Sequence, residues 1–205
     1  MCYNAQKGMR LKVKICGITT FEDALFAADC GADALGFVLY PPSKRFVSPC
    51  VVAQIVRALP PFVLSVGVFA QESAHEVCAL AKQAGVQLLQ LHNAALFDSS
   101  YPLPTLKVAR IASKDDVAAL NSADFVLCDT FCESFGGAGL RLPLDFFAGI
   151  DCSRMILAGG LTPDNVAEVT EMGFYGVDVS SGVESSAGKK DHKKVQDFIK
   201  NAKTL

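Results

Sequence analysis

The chain has 205 residues, a formal net charge of −2 from 19 basic and 21 acidic side chains, and 51% hydrophobic residues. No apolar run approaches the roughly 18 to 20 residues that cross a bilayer, and no basic stripe or aromatic-rich basic patch is present. A membrane partner and a nucleic-acid partner are therefore not expected. The length suits one domain of alternating strands and helices, and the apolar excess suits strands buried on both faces.

No linker or low-complexity tract divides the chain. A strand-like apolar run, a turn and a helix-period segment then recur. Eight runs stand out, at 11–16, 34–39, 62–69, 86–92, 105–111, 125–129, 154–158 and 176–180. Thr20-Phe21-Glu22-Asp23 offers a capping hydroxyl with an acid three residues later, which predicts a helix start after the first run. Gly31 and Gly85 fall where helices should stop. Ser48-Pro49 and Thr162-Pro163 each set a hydroxyl before a proline, predicting two further starts. The basic stretch 188–194 reads as the solvated start of a last helix. Helices between successive strands demand parallel pairing with right-handed crossovers. Eight such units predict an α/β fold, a single (β/α)8 TIM barrel over residues 1–205. The rival, an open doubly wound sheet, normally carries Gly-x-Gly-x-x-Gly after its first strand, where this chain has Cys16-Gly17-Ile18-Thr19.

The N-terminus lacks the apolar core of a secretory signal, so the eight cysteines read as reduced thiols of a cytoplasmic protein. Cys128-x-x-x-Cys132 has no second Cys or His pair at zinc-site spacing, and no metal is expected.

In such barrels the active site lies at the C-terminal ends of the strands. Alternation puts Lys14 and Cys16 on one face of the first strand, pointing inward, with Val13 and Ile15 toward the helices. A thiol at the barrel mouth is a base or nucleophile where positive charge lowers its pKa; otherwise Cys16 is a buried structural cysteine. Asp129 closes the sixth run. There it is a general acid with a raised pKa, or a salt-bridged structural carboxylate. Gln90 and His92 share the inward face of the fourth run. Arg45, in the stiff loop Tyr40-Pro41-Pro42-Ser43-Lys44-Arg45, suits a two-pronged grip on a carboxylate. Gly159 and Gly160 follow the seventh run, and Ser180, Ser181 and Gly182 follow the eighth. Small residues in these loops let backbone N–H groups approach a phosphate. Asp178 is read as orienting polar groups nearby.

The motifs Lys14-Ile15-Cys16-Gly17-Ile18-Thr19, Gly36-Phe37-Val38-Leu39-Tyr40, Ser43-Lys44-Arg45-Phe46-Val47-Ser48-Pro49, Gly67-Val68-Phe69, Gln90-Leu91-His92, Ala158-Gly159-Gly160-Leu161, Gly176-Val177-Asp178-Val179-Ser180-Ser181-Gly182-Val183-Glu184 and Gly188-Lys189-Lys190-Asp191 stand in order along the chain. Together they resemble the phosphoribosylanthranilate isomerases of tryptophan biosynthesis, from about Lys12 to the end. The first eight residues precede that family's usual start, so the resemblance implies an N-terminal extension within residues 1–10, with Met9 as an alternative start. The resemblance implies an Amadori rearrangement by acid–base catalysis. Cys16 would be the general base and Asp129 the general acid, with neither metal nor organic cofactor. The site should lower the thiol pKa and raise that of the carboxyl. Arg45 would hold the substrate's anthranilate carboxylate and His92 would line the pocket. Gly159, Gly160, Ser180, Ser181 and Gly182 would hold the phosphate. The partner implied is a small phosphorylated substrate, and the chain would act as a monomer or homodimer.

The sequence departs from the family in three places. Asn93 follows His92 where Gly is usual. Ala138 stands in Gly136-Gly137-Ala138-Gly139 where Ser or Thr is usual. Leu144-Asp145-Phe146 replaces a Phe-Asp-Trp. Rival readings are another sugar-phosphate isomerase or epimerase, a synthase-like lyase, and a non-catalytic barrel that binds a phosphoribosyl ligand. A metal epimerase would need more inward ligands than three histidines supply, and no catalytic Lys/Glu set for a lyase assembles at the strand ends. Retention of both Cys16 and Asp129 argues against a binding protein.

Overall fold

The computed structural model describes residues 10–97, 100–120, 124–131 and 141–204. Eight strands form a closed barrel in sequence order: β1 (Lys12–Cys16), β2 (Ala34–Val38), β3 (Leu64–Phe69), β4 (Leu88–Leu91), β5 (Thr105–Ile111), β6 (Val126–Thr130), β7 (Met155–Leu157) and β8 (Gly176–Val179). Every neighbouring pair is parallel, and β8 returns to β1 with Lys14 opposite Asp178. The predicted (β/α)8 barrel is the fold observed.

The helices are fewer than the repeat suggested. Among the described residues α1 (Phe21–Asp29), α2 (Pro49–Ala58), α3 (Ala74–Ala84) and the short α4 (Lys114–Ala118) fill crossovers, and α5 (His192–Lys203) follows β8. Single 3₁₀ turns at Ala94–Leu96, Leu144–Phe147 and Val166–Val169 stand in the other crossovers. Thr20 caps α1 as expected, its hydroxyl accepting from the Asp23 N–H at 3.1 Å. Ser48 precedes α2 with Pro49 at the first helical position, but its hydroxyl makes no cap hydrogen bond. Thr162-Pro163 starts no α-helix. The Asn165 side chain accepts from the Thr162 N–H at 2.8 Å and donates to the Gly160 carbonyl at 3.0 Å. These side-chain bonds give the backbone an alternative to a helical first turn. Asn93 acts alike after β4, accepting from the Ala95 N–H at 3.0 Å and capping the 3₁₀ turn.

Most strand boundaries shift inward by a residue or two, whereas β5 keeps its expected bounds and β6 runs one residue further, to Thr130. Phe62, expected at the start of the third strand, lies before β3 and is 96% exposed. A hairpin of β9 (Glu184–Ser186) and β10 (Lys189–Lys190) follows β8 and was not foreseen.

Alternation sorts the core into two compartments. Val13, Ile15, Leu35 and Phe37 point outward and are fully buried against Ala24, Ala27, Val52, Ile55 and Phe198 of the helices. Leu106, Val108, Leu127 and Ala158 form a separate cluster on the inner face of β5, β6 and the end of β7. Register carries that inner face round to Lys14, Gln90, Asp129 and Asp178. Apolar side chains therefore plug the lower barrel, and charged ones occupy the layer nearer the strand C-termini. No helix among the described residues is long and apolar enough to cross a membrane.

Candidate active site

Each sequence-predicted site residue in the described segments lies at the C-terminal rim. Cys16 ends β1 and is buried. Arg45 lies in the β2–α2 loop, His92 just past β4, Asp129 next to last in β6, and Asp178 in β8. Gly159 and Gly160 follow β7, and Ser180–Gly182 follow β8.

Lys14 and Asp178 form a buried ion pair, Nζ to Oδ1 at 2.8 Å. Burial depresses the Lys14 pKa, but Asp178 and Cys16 outweigh it and the ammonium titrates above its ordinary value. Asp129 titrates at about 6. Burial is the main cause, and the charge of Asp178 adds to it against the Thr130 N–H, Arg110 and Lys14. A carboxylic acid available near neutral pH was the expectation for this position.

The matching expectation for the thiol fails. Burial pushes Cys16 above the ordinary cysteine range, and Asp178 adds to it, despite the opposing charges of Lys14 and Lys190. Cys128 contrasts with it: fully buried in the outer core, it is pushed to about 12 by burial, with Cys152 and Asp129 adding, and serves as a packing residue. The six described cysteines are free thiols. Among the described residues no group of three or more His, Cys, Asp or Glu side chains converges to hold a metal. Cys132 and the stretch 136–139 lie outside the described residues, as do residues 1–9.

His92 titrates at about 4, because it is buried and because Lys14 and Arg110 are near. It is neutral at physiological pH. One ring nitrogen contacts the Gln90 amide at 2.9 Å. Gln90 is itself 98% shielded, at 2% exposure, and its Oε1 has no hydrogen-bond partner among the described residues.

Arg45 makes a two-pronged contact with Glu184, Nε to Oε1 at 2.8 Å and Nη2 to Oε2 at 2.7 Å. The same carboxylate accepts from Lys190 Nζ at 3.0 Å. Lys190 also donates to the Ser180 carbonyl at 3.3 Å. The solvated reading of 188–194 is therefore wrong for Lys190, which is buried at 3% exposure. The hairpin turns it inward while Lys189 stays exposed. Sequence reasoning missed this Arg45–Glu184–Lys190 cluster. The alternation of exposed and buried positions in a two-residue strand is too short a signal to detect.

The loops after β7 and β8 press together. Gly159 has φ +84, and a Cβ there would lie 2.1 Å from Thr130 Oγ1 and 3.2 Å from Asp129 Oδ1. A Cβ on Gly182 would lie 1.9 Å from the Leu161 carbonyl oxygen. Ser180 Oγ is shielded from solvent and has no hydrogen-bond partner among the described residues. It faces Gly17, the residue after β1, over which the Arg45 side chain lies.

A closed parallel barrel whose charged and polar side chains gather at the C-terminal ends of its strands defines a protein of the (β/α)8 class. The chain belongs to the N-(5'-phosphoribosyl)anthranilate isomerase family, whose model matches residues 13–201. It is 50% identical over 197 residues to the N-(5'-phosphoribosyl)anthranilate isomerase of Sulfurovum sp. strain NBC37-1, covering 95% of this chain and 100% of that relative. The crystal structure of phosphoribosyl anthranilate isomerase from Thermotoga maritima superposes with a TM-score of 0.85 at 38% identity, over 95% of this chain and all of that one. A phosphoribosyl anthranilate isomerase solved with reduced 1-(o-carboxyphenylamino)-1-deoxyribulose 5-phosphate matches with a TM-score of 0.81 at 36% identity, over 95% and 100%.

Proposed function

We propose that the chain converts N-(5'-phosphoribosyl)anthranilate into 1-(2-carboxyphenylamino)-1-deoxyribulose 5-phosphate as a cytoplasmic enzyme of tryptophan biosynthesis. Asp129 protonates the furanose ring oxygen as the C1–O bond breaks, and the anilino nitrogen lone pair forms the C1=N bond of a protonated Schiff base. The Cys16 thiolate then removes the C2 proton. The electron pair moves through C1 to nitrogen and leaves an enol. Proton return to C1 and loss of the enol proton give the ketone. The iminium is the electron sink, so these steps call for no metal and no organic cofactor. Arg45 holds the anthranilate carboxylate through donors that Glu184 does not take. Neutral His92 lines the pocket as a binding group. Gly159, Gly160, Ser180, Ser181 and Gly182 hold the phosphate, and Asp178 fixes Lys14.

The observation that carries this reading is Asp129, an acid at about 6 on the inner face, on the same rim as Cys16. About one Asp129 in ten is protonated at pH 7 with such a pKa. Family membership adds the substrate class.

The test is steady-state turnover of freshly generated substrate with chelator present, followed by loss of anthranilate-type fluorescence. Wild type is run beside Cys16→Ser and Asp129→Asn. Turnover that survives chelator and falls by about 10² to 10⁴ in each variant supports the assignment. Absent turnover by folded wild type rejects it.

A further inference from the structure

The site poses an electrostatic problem. The proposed base is a thiol held above its ordinary pKa by its own burial, yet the reaction needs the thiolate. Some charge must stabilise the anion. The charged groups facing the sulfur are Lys14 on β1, Asp178 on β8, Lys190 on β10 and Arg45 in the β2–α2 loop. The neighbouring strand β2 contributes only Gly36, opposite Cys16 in register. Arg45 and Lys190 are both committed to Glu184, the first through two hydrogen bonds and the second through one.

Lys14 differs from both. It sits two residues before Cys16 on the same inward face, buried, with its ammonium anchored to Asp178. A Cβ on Gly36 would touch both groups at once, 2.8 Å from Cys16 Sγ and 3.1 Å from Lys14 Nζ. The sulfur and the ammonium therefore converge on the space of one missing methyl group. A short surface lysine pair is worth little, but in this dry layer the same charges interact far more strongly.

We propose that Lys14, anchored by Asp178 and given room by Gly36, is the positioning residue whose ammonium makes Cys16 available as a thiolate. Asp178 holds the lysine and does not serve as a second acid. Gly36 is glycine because a side chain would fill the gap across which the ion pair forms. The inference rests on the reading of Cys16 as the general base, but its test needs no turnover.

The test is alkylation of Cys16 by iodoacetamide in the full chain, read as labelling of the Cys16 peptide by mass spectrometry across pH 6–10. Lys14→Met raises the thiol pKa. Each unit costs tenfold in thiolate and returns about threefold in nucleophilicity, so the rate at pH 8 should fall about threefold per unit. Lys14→Arg should restore at least half of the wild-type rate. Lys14→Met strands a buried carboxylate, so Lys14→Met/Asp178→Leu is run as well, removing both charges. That double variant should also label more slowly than wild type. In turnover, the alkaline limb of kcat/KM should move up in parallel in Lys14→Met, and kcat should fall more than KM changes. A folded Lys14→Met or double variant that labels at the wild-type rate overturns the proposal. Slow labelling together with full turnover by Cys16→Ser would keep the Lys14–Cys16 pair and remove only the general-base reading.

Discussion

Lys12 and Lys14 are the same residue type, two positions apart on one strand, and they belong to opposite ends of the barrel. Lys12 pairs with Asp33 at 3.2 Å, with side-chain exposures of 55% and 26%. Lys14 pairs with Asp178 at 2.8 Å, with exposures of 7% and 9%. The lower pair sits in water and is joined by Lys203 of α5, at 2.7 Å from Asp33. It ties the C-terminal helix to the α1–β2 connection. The upper pair is buried next to a thiol and a raised carboxyl. Charges at the lower rim gain modest stability, and those at the upper rim are held where burial shifts their titration. The division matches the general partition of such barrels into a stability face and a catalytic face.

The largest effect expected from this contrast is at Asp129. Asp129→Asn should lower kcat/KM by at least about 10²-fold while the melting temperature holds or rises, because a buried carboxyl is removed. Its pH dependence sharpens the comparison. In the proposed mechanism the productive form pairs a protonated Asp129 with a Cys16 thiolate. Below about pH 6 both groups carry protons, and above the raised thiol pKa neither does. Wild-type kcat/KM should therefore rise to a plateau at about pH 6 and fall again only above the ordinary cysteine range. The residual activity of Asp129→Asn should lack the step at about 6. A wild-type profile with no inflection between pH 5 and 7 would contradict the role given to Asp129.

A smaller effect separates the upper loops from the lower ones. Gly182→Ala drives a Cβ into the Leu161 carbonyl, 1.9 Å away, and forces the β7 and β8 loops apart. Overpacking of this kind costs roughly 1–3 kcal/mol. The melting temperature should drop by several degrees, and KM for the phosphorylated substrate should rise about tenfold. Gly149→Ala, where a Cβ meets nothing within 4 Å, has φ +79 and should cost stability through backbone strain alone, with KM unchanged. Equal KM shifts in the two variants would break the link between the upper loops and the phosphate.

Much of this division was legible in the sequence. Period-two alternation placed Lys14 and Cys16 inward and Val13 and Ile15 outward, because a strand has only two faces. The strand ends gave the rim, since a parallel barrel puts every such end on one side. What escaped notice depends on residues brought together from distant segments. Lys190 is buried because Glu184 and the Ser180 carbonyl receive it, and a basic run gives no sign of that. The raised thiol escaped for a similar reason: a lysine two residues away suggests a lowered pKa, but burial outweighs that charge. The missing helix after β7 turned on Asn165, whose side chain competes for the backbone groups a helix would use.

The smallest effect lies at the lower rim, and it tests the stability half of the comparison. Burial raises the Asp33 carboxyl, but hydrogen bonds from Lys203, the Val13 N–H and Lys12, with the charge of Lys203, outweigh it and leave the pKa below the ordinary carboxylate value. A carboxyl lowered by folding stabilises the protein at every pH above its unfolded pKa of about 3.9, and that contribution disappears as pH falls through the folded value. Asp33→Asn should therefore cost about 1 kcal/mol at pH 7, a shift of roughly 2–4 °C in melting temperature for a chain of this size. The difference from wild type should hold from pH 5 to 8 and shrink below pH 4. Because Asp33 stands at the end of the barrel remote from Cys16, kcat/KM should stay within twofold of wild type. A kcat/KM loss comparable to that of Asp129→Asn would show the two rims to be coupled and overturn the division.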